Sequence, residues 1–311
     1  MSEHTRDLAR RRLLQGSGAA VTAAAFGSTA AAREGTETKE RSDNSRSPGR
    51  SPSIIAHRGF AGTYPENTVA AARNSARDGA EMIEIDVVPC ADGEVVVFHD
   101  DGLSERQGGD RGLTDAEGLV WETDCETVLA AEVLESGQTV PTLHEVLKAV
   151  PPSVRVNIEL KNAGSTELVA GNLEGEELAE QEELWRPFVR DVLAIADEYR
   201  NEILVSSFHE AALSITREVD PSIPIAFLFS DDLEAGLEVT REYDAEAIHP
   251  SFELVSGTPF SEGTDDVDIV DAAHEEGREV NVWTVQTWYE ATQLAEAGVD
   301  GLIADYPGLL C

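Results

Sequence analysis

Met82-Ile83-Glu84-Ile85-Asp86-Val87-Val88, then Ala91-Asp92-Gly93, then Val95-Val96-Val97-Phe98 is the stretch on which the fold turns. Both apolar runs read as strands, and the Asp-Gly pair between them marks a tight turn, so the two form an antiparallel hairpin. Seven more strand-like runs follow the same style, at Ile54 to Ala56, Val154 to Leu160, Ile203 to Phe208, Ile225 to Phe229, Ala247 to Ile248, Val280 to Val285 and Leu302 to Ala304. Helical spacing fills stretches between them, as at Thr68 to Asp78, Leu184 to Tyr199, Ala211 to Val219, Val267 to Glu276 and Tyr289 to Ala297. Strand then helix, repeated, predicts a parallel sheet. Nine strand runs less the hairpin partner leave eight, the number that closes an α/β fold of the (β/α)8 TIM-barrel type.

The segment from Asp101 to Val150 has no obvious parallel strand and contains Gly108-Gly109-Asp110-Arg111-Gly112, which predicts a small rim insertion after the hairpin, over about 101–150. Its last helix opens with Thr142-Leu143-His144-Glu145, a capping-box pattern in which His144 is a helix-surface residue. The chain runs only to Cys311, which leaves little for an eighth helix.

Upstream of the barrel, Arg10-Arg11-Arg12-Leu13-Leu14 precedes a weakly apolar Ala/Gly stretch ending at Ala30-Ala31-Ala32, a pattern similar to a twin-arginine export signal over 1–32. Residues 33–52 are polar and Pro-containing, as in a disordered linker, and 53–311 form the barrel domain. No Cys follows the signal, so no lipid anchor is expected. The implied route is transient engagement of the Tat translocase and release outside the cytoplasm, to the extracellular or cell-surface space.

Lys and Arg total 23 against 60 Asp and Glu, a net charge of −37, and only Lys39, Lys148 and Lys161 are lysines. The first fifty residues hold nine basic and six acidic side chains, so the remainder carries 14 and 54, a net of −40. Such a surface excludes general nucleic-acid binding. Self-repulsion on this scale opposes compaction unless salt screens it, to about 3 Å at 1 M, which predicts a halophilic protein. No apolar run of membrane-spanning length escapes small or polar interruption, which excludes a multispan membrane protein. Cys90, Cys125 and Cys311 show no paired spacing. One bridge is possible, but buried or idle thiols are the expectation.

Side chains alternate along a strand, so Glu84 and Asp86 face one side while Ile85 faces the other. Asn157-Ile158-Glu159-Leu160-Lys161 repeats the pattern and puts Glu159 and Lys161 on one face. Three carboxylates without Cys, and with no His at ligand spacing, suit a hard cation such as Ca2+ or Mg2+ with oxygen ligands. His57 and His99 stand at strand ends, where barrel enzymes place catalytic groups. Arg58 offers a planar donor for phosphate oxygens, and Tyr64-Pro65-Glu66-Asn67-Thr68 opens a helix whose amides can accept an anion. His249 is a candidate for lining the mouth, His209 falls in a turn after its strand, and His274 on a helix surface. Ser206 and Phe208 are candidates to point inward.

His57-Arg58-Gly59, Pro65-Glu66-Asn67-Thr68, Glu84-Ile85-Asp86, Val97-Phe98-His99-Asp100, Pro141-Thr142-Leu143, Ile158-Glu159-Leu160-Lys161, Val282-Trp283-Thr284-Val285 and Asp305-Tyr306-Pro307 together resemble the ordered motifs of glycerophosphodiester phosphodiesterases, over residues 55 to 307. The resemblance implies a TIM-type barrel, a divalent cation at Glu84, Asp86 and Glu159, an acid/base pair at His57 and His99, phosphate contacts from Arg58 and Lys161, and a cleft wall at Trp283. It implies metal-dependent hydrolysis of a small glycerophosphodiester to glycerol phosphate and an alcohol. Ala304 stands where the family commonly has Thr before Asp-Tyr-Pro, which removes any hydroxyl role there. Two alternatives are a phospholipase D or lyase of the sphingomyelinase type on the same fold, and a catalytically silent secreted binding protein.

Overall fold

Eight strands alternate between an inner face and a helix-covered outer face, and their register sets what the centre of the molecule contains. The computed structural model of the protein describes residues 51–104, 113–261 and 267–310. The segment 1–32, nearly all of 33–52, and Gly108 to Gly112 lie outside the described residues.

The parallel strands are β1 (Ser53–Ala56), β2 (Met82–Pro89), β6 (Arg155–Leu160), β7 (Ile203–Ser207), β8 (Ile225–Phe229), β9 (Ala247–Pro250), β10 (Glu279–Val285) and β11 (Gly301–Ala304). They run in the order β1-β11-β10-β9-β8-β7-β6-β2, and pairing of β1 with β2 closes the ring. The short β3 (Val95–Val97) pairs antiparallel with the far end of β2, Val87 opposite Val97, as the Asp92-Gly93 turn predicts. Helices α1 (Val69–Arg77), α3 (Leu143–Ala149), α4 (Gly175–Ala196), α5 (Glu210–Val219), α6 (Leu233–Glu242), α7 (Ile269–Glu275) and α8 (Trp288–Glu296) connect successive parallel strands.

Alternation divides the residues cleanly. On β2, Ile83, Ile85 and Val87 join the layer beneath the helices, with Val156, Ile158 and Leu160 of β6 beside them. Ile55, Met82, Leu204, Ala226, Ala247 and Ile303 fill the inside of the barrel. Glu84 and Asp86 therefore share the interior with Asn157 and Glu159, and register sets Glu84 opposite Asn157 and Asp86 opposite Glu159. All four are buried.

The helix expected from Leu184 starts earlier, at Gly175. Its first turns are rich in glutamate, but Glu176 and Glu177 in the first turn complement the helix dipole, Leu178 packs against the core, and Gln181 is buried. Thr142 and Glu145 form the capping box at α3. His144 and His274 lie on helix faces, His144 against Tyr199 and His274 bonded to Asp300.

The rim insertion has its own core of Val88, Val96, Phe98, Leu103, Leu113, Val120, Val128 and Val133. It carries α2 (Cys125–Ala130) and a small hairpin of β4 (Glu132–Val133) and β5 (Gln138–Thr139). Here the expectation of idle thiols is corrected: Cys90, just past β2, is disulfide-bonded to Cys125, the first residue of α2, with Cα atoms 5.4 Å apart. The partners are 35 residues apart in sequence, and only the folding of the insertion against β2 and β3 brings them together. His249 is also corrected. It does not line the mouth but is wholly buried in β9, its Nε2 3.1 Å from Asn281 Nδ2.

Closing a loop of 35 residues removes unfolded-state freedom worth about 4 kcal/mol. Reduction, or the paired change Cys90→Ser and Cys125→Ser, is expected to lower the thermal midpoint by on the order of 10 °C, measured by calorimetry with and without reductant. Burial, helped by the charge of Arg155, pushes the His249 imidazole down to about 3. An unfolded histidine titrates near 6.5, so between about 6.5 and 3 the unfolded chain takes up a proton that the folded chain refuses. Stability contributed by neutral His249 is thus lost as pH falls through that window, by up to about 1.4 kcal/mol per pH unit. Denaturant titrations from pH 6.5 to 4 should show a shallower decline for His249→Gln than for the parent chain.

Candidate active site

The chain leaves β1 through a tight 3-10 turn at His57–Gly59, and this turn uses left-handed backbone at Arg58 (φ 49°), Gly59 (φ 74°) and Phe60 (φ 61°). Its effect is to aim the Arg58 amide at the barrel centre, where it donates to Glu84 Oε2 at 2.7 Å. The Arg58 guanidinium is held by Glu66 at 2.7 Å, and its Nε sits 3.4 Å from Asp86 Oδ2 with no hydrogen bond of its own. Asn67, also left-handed (φ 57°), donates from Nδ2 to Asp86 Oδ2 at 2.8 Å. The Pro65-Glu66-Asn67-Thr68 segment thus braces the arginine and the aspartate as well as opening α1, whose N-cap is Thr68.

Glu84, Asp86 and Glu159 each offer an oxygen within 4.8 Å of the others. Desolvation, then the charges of Asp86 and Glu159, push the Glu84 carboxyl well above the usual range. Desolvation pushes Asp86 up as well, but His99, Arg58, Lys161 and the Asn67 bond outweigh it and hold the group ionised. Glu84 Oε1, Asp86 Oδ1 and Asn157 Oδ1 are buried without a hydrogen-bond partner. Carboxylate and amide oxygens orphaned around one point fit a hard divalent cation: they would supply its ligands, and its charge would let both β2 acids ionise.

Two histidines face the same space. His57 Nδ1 is 2.6 Å from Asp305 Oδ1, and Asp305 in turn accepts from Gln286 Nε2 at 2.7 Å. His99 Nδ1 is 2.7 Å from Asp100 Oδ1. A carboxylate on Nδ1 fixes the ring and favours the tautomer whose Nε2 carries the lone pair. Burial pushes Asp305 up, but the bond and charge of His57, the Gln286 bond and the charge of Arg58 together outweigh it and hold the carboxyl below its usual range.

These groups enclose a cavity of about 330 Å³ at the C-terminal mouth, lined by His57, Arg58, Glu84, His99, Glu159, Lys161 and Trp283 together with Asn157 and Phe208. Seven of the eight residues singled out from the sequence line it, and the eighth, Asp86, lies just beneath in the acidic cluster. Lys161 Nζ is 2.9 Å from Glu159 Oε1, and burial of this lysine is outweighed by Glu159 and Asp86, which keep it an ammonium. Trp283 is fixed by donating Nε1 to the His249 carbonyl at 2.7 Å and by an edge contact with Phe208. Phe208 reaches the cavity, whereas Ser206 is buried in the barrel. His209 caps α5, with Nδ1 on the Val169 carbonyl.

Sequence reasoning gave no role to Asn157, Asp100, Asp305, Glu66 or Asn67. Asn157 had a usable signal, since it precedes Glu159 by two residues on the same face of a strand. Asp305 had none in the local sequence, because it meets His57 across 248 residues.

A closed parallel barrel with its polar groups gathered at the C-terminal mouth defines a (β/α)8-barrel enzyme. The sequence profile of the Glycerophosphoryl diester phosphodiesterase family matches residues 57–309, and the chain belongs to that family. A glycerophosphodiester phosphodiesterase of Bacillus altitudinis is 28% identical over 267 residues, which span 82% of this chain and 94% of that protein. Another, from Caldanaerobacter subterraneus subsp. tengcongensis, is 26% identical, with 83% and 95% covered. Among solved structures, an Oleispira antarctica phosphodiesterase in complex with the product sn-glycerol-3-phosphate superposes with a TM-score of 0.65 at 25% identity, covering 82% of this chain and 94% of that one.

Gly59 couples this site to α1. A Cβ there would lie 2.8 Å from the Ala71 Cβ and 3.0 Å from the Ala71 carbonyl carbon, on left-handed backbone. Gly59→Ala is expected to cost about 1–3 kcal/mol and to tilt the Arg58 amide off Glu84. A fall in thermal midpoint together with a fall in kcat/KM would register both effects.

Proposed function

We propose that the protein hydrolyses glycerophosphodiesters to glycerol phosphate and an alcohol, with a divalent cation, Ca2+ or Mg2+, at Glu84, Asp86 and Glu159 and with His57 and His99 exchanging protons with the substrate. The observation that carries this reading is the meeting of two carboxylate-held imidazoles, two half-buried cations and a three-carboxylate cluster around one cavity, in a member of this family.

The chemistry needs charge neutralised on the nonbridging oxygens, a deprotonated nucleophile and a protonated leaving group. A cation bound at the carboxylates supplies Lewis-acid charge to a phosphate oxygen. Arg58, with a buried Nε lacking a hydrogen bond, and Lys161 bind and orient the phosphate from either side of the cluster. Nε2 of one histidine accepts the proton of the attacking glycerol 2-hydroxyl while the other donates to the departing alcohol oxygen, and water then opens the cyclic phosphate with the histidines exchanging roles, giving glycerol phosphate. Asp305 and Asp100 stabilise whichever ring is protonated. Trp283 and Phe208 provide an apolar wall for the carbon skeleton of glycerol.

An exported, salt-adapted enzyme is part of this proposal. The Cys90–Cys125 disulfide supports an oxidising compartment, in keeping with the twin-arginine-like leader, and the excess of acidic over basic residues supports concentrated salt.

Purified chain in molar salt, given a panel of glycerophosphodiesters with and without chelator and added Ca2+ or Mg2+, is expected to release glycerol phosphate only when the cation is present. His57→Ala and His99→Ala should each lower turnover about 10² to 10⁴-fold. Near-native turnover in both variants would refute their role, and a cyclic lipid phosphate as product would point instead to the lyase of sphingomyelinase type.

A further inference from the structure

We infer that a second cavity beside the first is the pocket for the departing alcohol, and that it selects small head groups able to donate hydrogen bonds, above all a primary ammonium such as ethanolamine. This rests on the activity proposed above and extends it to the part of the substrate that varies.

The cavity has a volume of about 340 Å³ and shares His99, Glu159, Lys161 and Phe208 with the barrel-centre cavity. His57 and Trp283 line only the barrel-centre cavity, whereas Asp101, Asn162 and His209 line only the second. A phosphodiester has two alcohol arms on one phosphorus. With the phosphate at the groups common to both spaces, one arm enters each. The barrel-centre space, closed by Trp283, Leu228 and Ile303, suits the constant glycerol arm, and the side space then receives the other.

Asn162, Ser165, Thr166 and Leu168 form the outer wall of this side cavity, and the segment that carries them, 162–173, is firmly held. Asn162 Oδ1 accepts from the amides of Gly164 and Ser165 at 2.8 and 2.9 Å. Gln181 brackets the middle of the segment, receiving the Val169 amide and donating to the Glu167 carbonyl, both at 3.0 Å. The buried Glu210 accepts the Leu173 amide at 2.6 Å and the Tyr243 hydroxyl at 2.7 Å. A wall tied down at its start, middle and end is a formed surface.

Apart from the Lys161 ammonium at the end shared with the first cavity and the Ser165 hydroxyl, what that surface offers is acceptors. Asp101 brings a carboxylate, kept in place by Asn162 Nδ2 at 3.3 Å. His209 gives its Nδ1 proton to the Val169 carbonyl at 2.9 Å, which leaves Nε2 with the lone pair. Ser165 Oγ accepts from the Glu167 amide, so its own proton is available to a head-group oxygen. An ammonium or hydroxyl meets these acceptors. A quaternary ammonium has no proton to give and would leave them unpaired. It would also lack an aromatic cage among the described lining residues, where the one aromatic ring besides His99 and His209 is Phe208, already faced by Lys161 at 5.5 Å.

The test compares kcat/KM for glycerophosphoethanolamine and glycerophosphocholine, using the full chain saturated with the activating cation. The parent protein is expected to favour the ethanolamine diester by about tenfold, and Asp101→Asn should bring the ratio toward one. Free ethanolamine should also inhibit the parent more strongly than free choline, which reads the pocket without turnover. Hydrolysis of both diesters at a ratio near one, or a preference that Asp101→Asn leaves intact, would overturn the assignment of this pocket while sparing the activity. Failure of folded, cation-loaded protein to hydrolyse either diester would overturn the activity reading and this inference with it.

Discussion

Carboxylates buried side by side are the constraint around which the mouth of this barrel is arranged. Two full charges within 4.8 Å of each other repel by about 3.5 kcal/mol or more at an effective dielectric near 20, before any loss of hydration is counted. The surroundings answer that cost at several points. A left-handed turn presents an amide to Glu84, an asparagine side chain donates to Asp86, and arginine and lysine flank the group. What protein groups leave unanswered is a set of bare oxygens, whose chemistry would suit a doubly charged ion.

The same strand that carries two of these acids holds the outer layer together. Glu84 and Asp86 alternate with Ile83, Ile85 and Val87, so that the residues anchoring the strand beneath α1 and α3 also fix the angle at which the acids project. Beyond the barrel the strand continues into the hairpin with β3 and on to Cys90, where the disulfide joins it to the insertion. Chemistry, packing and cross-linking are thus consecutive along one extended segment, and a disturbance at any of them reaches the others through a backbone with little freedom to absorb it.

Much of this was legible in the sequence because it depends on local periodicity. A period of two put Glu84 with Asp86 and Glu159 with Lys161, and the Asp92-Gly93 turn reduced nine strand runs to a ring of eight. The partners that orient the site were less visible. Asp305 meets His57 because the last strand lies against the first, and Cys90 meets Cys125 because the insertion folds back over β2, neither of which leaves a mark in local sequence. His249 misled for a related reason: a polar residue at a strand end looks like a mouth residue until the depth of the barrel wall is known. The glutamate-rich start of α4 was unreadable as helix since its support comes from the end dipole, a single leucine and one buried glutamine, not from a full apolar stripe.

Ring closure sets a timetable. β11 slots between β1 and β10, and it is the residue just after β11 that grips the imidazole at the end of β1. A nascent chain can pair each parallel strand with its predecessor as it emerges, whereas the carboxylate that holds its first histidine arrives only after the final strand. If His57 acts as proposed, competence would arrive only at the close of assembly, and a polypeptide interrupted shortly before that point would lack the carboxylate that orients its first histidine.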